Sequence, residues 1–344
     1  MNKHRHLYGL TAMACWLGVL LSVAACTEEA PPGFNPDESA ETIPVQVNVV
    51  TDEAQTRAPS DPALSVNRIL LIPFRKTSEA LADDPANFVA DYSAARQFAV
   101  STFPTVATML NLQAGSTYRI MILGYSSIDY DFAVPNSATR RFDIGGSPAN
   151  LANVFLKPLN VMGVPEFFSC MGTGYMNGTA VGQSFRSDQI NNITGTLQRI
   201  VSGLTLTLNQ IPGYVKSVTL VAEQLVTATR ATDGTALQWQ TTGDGASRTM
   251  AVRIPVAGSV TFDQFLLAIP DARKTLLYLD IAYSTFVERH TVLIADSSGL
   301  ISGNRIIFKP NEWVKLTGSY NTINLGFTLA NNVNLDDNVW DGIQ

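Results

Sequence analysis

The chain has 344 residues, 46% hydrophobic and 15% charged, with a formal net charge of −6. It is too apolar for a disordered chain and long enough to bury one large core or two ordinary ones. The acidic balance excludes a basic nucleic-acid footprint. Phosphate-loop and serine-hydrolase chemistry are excluded as well, because no Lys follows a Gly and no Gly-x-Ser-x-Gly string occurs.

The N-terminus reads as an export signal. Lys3, His4, Arg5 and His6 make a basic start, Leu7 to Leu21 an apolar run, and Ser22 to Ala25 a small-residue approach to Cys26. Val23-Ala24-Ala25-Cys26 resembles a bacterial lipobox, in which a peptidase cuts between Ala25 and Cys26. The cysteine is required there because its thiol forms the thioether to diacylglycerol. Residues 1–25 are therefore expected to be a lipoprotein signal peptide. Their removal takes Lys3 and Arg5 with it and the net charge to −8. It also leaves His290 as the one histidine and Cys170 as the one thiol beside Cys26. That excludes Cys/His metal clusters and a disulfide framework. His290, inside Glu288-Arg289-His290, reads as an exposed structural residue. No cofactor or metal is implied, and nothing points to an enzyme.

Residues 26–41 carry Pro31, Pro32 and Pro36 with several acids and one aromatic, Phe34, and read as a tether. From Thr42 onward the dominant signal is period two. Val45, Val47 and Val49 alternate with Gln46 and Asn48, predicting a half-buried strand. Ile69 to Phe74 and Thr117 to Gly124 are short apolar runs that fit buried strands, and Asn153 to Leu156 and Val161 to Phe168 predict shorter ones. A helix is expected around Ala86 to Ala95. Glycines crowd residues 169–195, which read as a boundary or long connection. Leu197 to Leu208 and Val215 to Val226 resume the strand pattern, and Asp233-Gly234 and Asp244-Gly245 are hairpin signals. Further strands follow at Val252–Val256, Val260–Ile269, Leu276–Tyr283, Thr291–Ala295, Arg305–Phe308 and Trp313–Thr317, with alternation from Ile323 to Leu329. Many short strands at such spacing argue an all-β protein of two sandwiches, residues 42–178 and 179–344.

Several strings together are similar to a known family: Val66 to Phe74, Leu112 to Arg119, Leu197-Gln198-Arg199-Ile200-Val201, Phe308 to Trp313 and Trp340-Asp341-Gly342. In this order, behind a lipobox, they resemble the Bacteroidetes fimbrillin-like families, and within them the lipoprotein subunits that anchor a fimbrium to the outer membrane. The resemblance implies two transthyretin-like β-sandwich domains and a fimbrial shaft subunit as partner, joined by β-strand exchange. Thr27-Glu28-Glu29 is similar to the acidic signal that sends such lipoproteins to the outer face of the outer membrane. Shaft subunits of this kind lose their N-terminal strand to an Arg-specific protease. Arg57, in Gln55-Thr56-Arg57-Ala58-Pro59, is either such a processing site or a solvated loop arginine.

The tail Asn331 to Trp340 is either a donor strand or the last edge of the second sandwich. Asp336, Asp337 and Asp341 do not follow calcium-loop spacing. The leading reading is a non-enzymatic, lipid-anchored fimbrial base. The alternatives are a tip or shaft fimbrillin matured by cleavage after Arg57, and a surface glycan-binding lipoprotein. Trp239, Trp313 and Trp340 are the candidate sugar platforms of the last, though aromatics more often fill sandwich cores.

Cys26→Ser is expected to abolish lipid attachment and to move the protein from the detergent phase to the aqueous phase of a membrane extraction. Intact mass would show the loss of acyl chains; a lipidated Cys26→Ser protein would refute the anchor site.

Overall fold

The computed structural model describes residues 41–51, 66–101, 105–147, 149–160, 164–240, 247–269, 275–295 and 301–334. These residues belong to one compact unit, Glu41–Gln344. Cys26, Arg57 and Trp340 lie outside the described residues, as do Asp336, Asp337, Asp341 and Asp244-Gly245. The chain is all-β: among the described residues the helical segments are short 3₁₀ turns at Pro85–Asn87, Ser187–Gln189 and Tyr320–Leu325.

Two strands form the centre of the first half. Arg68–Lys76 and Thr117–Tyr125 pair antiparallel from Arg68↔Tyr125 to Arg75↔Tyr118. Both are near-continuous apolar runs because both of their faces are covered. Ile69, Leu71, Ile120 and Ile122 point into one core with Val45, Val47 and Val49. Leu70, Ile72, Met121 and Leu123, one residue out of phase, point into a second core that continues through the rest of the unit.

Residues 169–195, expected as a connection, are instead mostly strand: Phe168–Met171, Thr173–Met176, Thr179–Gly182, Phe185–Arg186 and the start of Asn192–Arg199. Gly178 and Gly182 hold positive φ, but Gly172, Gly174 and Gly195 are there for close approach. A Cβ on Gly195 would meet Ile122 Cδ1 at 2.4 Å and Cys170 Sγ at 2.8 Å, and one on Gly174 would meet Phe185 at 2.7 Å. The first sheet thus continues past residue 178 to Arg199. The expected helix at Ala86–Ala95 is also corrected. After the turn capped by Asp84, Phe88–Ala90 pairs with Phe74–Lys76. Asp91 then accepts hydrogen bonds from Ser93 Oγ at 2.6 Å and Ala94 N at 3.3 Å, closing a local turn that competes with a helix.

Leu197–Leu208 is two strands, not one. The buried residues fall at odd positions through Arg199 and at even positions from Leu204, and the chain changes sheet at Ile200. Val201–Asn209 pairs antiparallel with Val260–Leu267 and parallel with Glu312–Ser319 in a six-stranded sheet. Ser217–Glu223 pairs with Arg248–Arg253 and Thr275–Ala282 in a five-stranded one. Leu204, Leu206 and Leu208 of the first sheet share a core with Val218, Leu220, Leu277 and Leu279 of the second. Of the alternation at Ile323–Leu329, residues 320–325 form 3₁₀ turns and the strand is Phe327–Asn334.

A four-stranded sheet sews the halves together. Phe142–Gly145 and Phe155–Pro158 come from before the switch at Ile200, Val226–Arg230 and Ala236–Trp239 from after it, and Thr229↔Leu156 joins them. The hairpin at Asp233-Gly234 forms as expected, with Gly234 at φ +73° and Asp233 Oδ1 accepting from Thr235 N at 2.9 Å. His290 corrects its expectation: it is 9% exposed, because strand Val287–Thr291 turns it inward, and Glu288 lies 3.4 Å from its Nε2.

Gly203 permits the tightest contact. A Cβ there would meet Trp313 Cε3 at 1.9 Å, and the indole is held by a 2.8 Å bond from Nε1 to Thr205 Oγ1. Gly203→Ala is expected to cost about 1–3 kcal/mol by displacing that ring. Denaturant titration with tryptophan fluorescence checks it; an unchanged midpoint would contradict the packing.

Candidate strand-exchange site

Thr42–Thr51 is the first strand among the described residues. It is paired on both sides, antiparallel to Thr105–Gln113 from Thr42↔Gln113 and parallel to Asn192–Arg199 from Gln46↔Asn192 to Thr51↔Leu197. Its sequence explains the placement. Val45, Val47 and Val49 are β-branched at every second position and each is 0% exposed, while Pro44 and Gln46 face solvent. Pro44 sits where the parallel neighbour has not yet begun, a place that tolerates a residue without an N–H.

The slot that receives this strand is apolar below and polar above. Leu110 and Leu112 come from one flank, Ile193 and Leu197 from the other, and Ile120 and Ile122 from the opposite layer, all in one core with the three valines. Burying three valines contributes roughly 5–9 kcal/mol by area. On the outer face Asn48 Nδ2 donates to Asn192 Oδ1 at 3.0 Å, fixing the register of the parallel pair. Tyr118 closes one end: its hydroxyl accepts Gln113 N–H at 3.1 Å, and burial pushes its phenol above the usual range. Ala114 N donates to Glu41 O at 2.8 Å at the same end.

Asn192–Arg199 serves two layers. Its first residues pair with the first strand and with Thr173–Met176; its last, Gln198↔Ser169 and Arg199↔Phe168, pair with the other sheet. Arg199 anchors that corner. Its side chain is 1% exposed, Nε donates to Glu166 Oε1 at 2.6 Å, a terminal nitrogen donates to Asn311 Oδ1 at 2.9 Å, and the guanidinium lies 4.9 Å from the Phe168 ring. Asn311, at φ +59°, donates its N–H to Val201 O at 3.0 Å. Leu197–Val201 and Phe308–Trp313, far apart in sequence, therefore meet in one place. Sequence reasoning singled out both strings without identifying their contact or the part played by Glu166.

At the other end, Phe327–Asn334 pairs antiparallel with Glu312–Ser319 and parallel with Ile294–Ala295. Residues 331–334 are thus the end of a sandwich strand, and the remainder of the expected tail lies outside the described residues. Trp313 is 1% exposed and packs against Phe265, and Trp239 is half-buried against the main core, so neither is an open platform. Cys170 is a free cysteine whose thiol burial pushes up to about 12. Among the described residues no cluster of three or more His, Cys, Asp or Glu could hold a metal.

No protein-family profile matches the sequence, and no curated protein matches it. Solved structures similar to the chain include the fimbrial anchor protein Mfa2 from Porphyromonas gingivalis, at 12% identity and a TM-score of 0.46, covering 84% of this chain and 95% of that one. A candidate polysaccharide-binding protein from Bacteroides thetaiotaomicron is 12% identical with a TM-score of 0.46, over 80% of this chain and 92% of that one. A candidate cell adhesion protein from Bacteroides eggerthii is 13% identical with a TM-score of 0.42, over 80% and 86%.

Val47→Asp would put a carboxylate at a fully buried position and is expected to cost about 3 kcal/mol or more. The loosened slot should then take up a synthetic peptide of sequence Thr42–Thr51, which the wild-type protein and a Gln46→Asp control should not. Fluorescence polarisation of the labelled peptide reads this; equal uptake by all three proteins would refute the slot.

Proposed function

We propose that this protein is a structural subunit of a bacterial surface fimbrium, held in the outer membrane through lipidated Cys26 and joined to a shaft subunit by β-strand exchange. The observation that carries the reading is the first strand, seated between two neighbours over an apolar floor. The lipobox at Cys26, the tether after it and the family resemblance support it from the sequence. The role is mechanical rather than catalytic.

The chain order makes Arg57 the deciding position. The first strand lies between the tether and Arg57, and the next strand begins at Arg68. A chain left whole keeps its own strand in the slot together with its lipid, so it accepts no neighbour there, joins a shaft subunit only by donating a segment of its own, and ends the polymer at the membrane. A chain cut after Arg57 would lose both and could receive another subunit's strand, as a shaft or tip subunit does. The anchor reading requires the strand and Cys26 to stay joined to the body, which holds for a chain left uncut at Arg57.

The test is native protein from outer membranes, extracted in mild detergent, run unboiled on a denaturing gel, with intact masses of every band. A detergent-resistant ladder containing a second sandwich protein and a lipidated Cys26 is expected. A ladder in which this chain starts at Ala58 would assign it to the shaft or tip. A lipidated monomer without a partner would refute the fimbrial reading.

A further inference from the structure

At one end of the second sandwich, a hairpin, a turn and the start of the 3₁₀ segment Tyr320–Leu325 bring four aromatic rings together. The hairpin between Thr275–Ala282 and Val287–Thr291 is closed by Tyr283 N donating to Phe286 O at 2.9 Å. The rings of those two residues stack at 4.4 Å and 26°. Tyr214, on the turn after Ile211-Pro212-Gly213, lies 6.1 Å from the Tyr283 ring at the same 26°. Lys216 N donates to Ala282 O at 2.8 Å, tying that turn to the hairpin. Tyr320 adds its hydroxyl, 2.9 Å from that of Tyr283, which also donates to Glu288 Oε2 at 3.3 Å. Tyr214 is nonetheless 61% exposed and Phe286 57% exposed.

We propose that this cluster binds neutral hexose-based glycans. Near-parallel ring planes offer flat apolar faces with negative π-density, complementary to the C–H faces of a pyranose. A polar rim of tyrosine hydroxyls, Ser284 and the Glu288 carboxylate surrounds a cleft of about 420 Å³. The cleft is shallow and open, a shape that exposes ring faces to an extended chain of sugars. Tyr214, Tyr283, Ser284, Phe286 and Tyr320 line the cleft, four of the five aromatic, the composition that stacks on sugar faces. Glu288 and the net charge of −6 select against uronic acids and other anionic sugars. The rings are held by one another and by backbone bonds without a ligand, so binding requires little reordering. The sequence shows the tyrosines only as scattered, because nothing in it brings Tyr214 next to Tyr283.

The site stands independently of strand exchange. Saturation-transfer NMR on the detergent-extracted full chain, with cellohexaose, laminarihexaose and maltohexaose as probes and polygalacturonate as the acidic control, tests it. At least one neutral hexaose is expected to show transfer to its ring C–H protons. Tyr214→Ala and Phe286→Ala should each weaken it at least fivefold without moving the thermal midpoint, since both side chains are exposed. Absence of transfer to all three neutral probes would overturn the proposal, as would equal binding of polygalacturonate or wild-type binding by both variants. So would conversion of a wild-type dimer to monomer by Phe286→Ala, which would make the cluster an interface between copies.

Discussion

An open slot between two strands is a costly thing to leave in water, and the first half of this protein is organised around filling one. Unpaired N–H and C=O groups would line both flanks, over a floor of Leu110, Leu112, Ile193 and Leu197. Thr42–Thr51 satisfies both ladders and the floor at once. Its neighbour Asn192–Arg199 leaves it for the opposite sheet, so the pairing that seats the first strand also positions the corner where the two layers join.

The second dependency is electrostatic. Arg199 and Glu166 are both removed from water, and such a pair is tolerable only when its remaining hydrogen-bonding capacity is met. Asn311 meets part of it from a segment more than a hundred residues later, at the mouth of the strand that carries Trp313. The halves interlock through this Arg199–Asn311 bond and through the four-stranded sheet shared across Ile200, while Trp313 over Gly203 locks the second half to itself.

Strand identity was legible wherever one residue type repeated at period two or ran continuously: the valines of 45–49, the leucines of 204–208, the run from Ile69 to Phe74. The readings that failed did so where a local signal had two physical causes. Glycine marks turns, yet Gly174 and Gly195 mark close contact between layers. Polar residues before Phe88 suggested a helix start, yet Asp84 and Asp91 cap turns. The break at Ile200 was present in the sequence as a change of phase between Leu197 and Leu204. The two-sided pairing of the first strand was beyond local reading, because it depends on a parallel partner nearly 150 residues away.

The parallel and antiparallel flanks of Thr42–Thr51 also have a mechanical meaning. The chain enters this strand from Glu41. Tension transmitted along the strand axis loads both ladders in shear, so the bonds on the two sides resist together instead of parting in turn as in a peeling hairpin. A joint of this kind is strongest along its own length. On the proposed reading, this doubly paired strand is what would carry a load applied to the body.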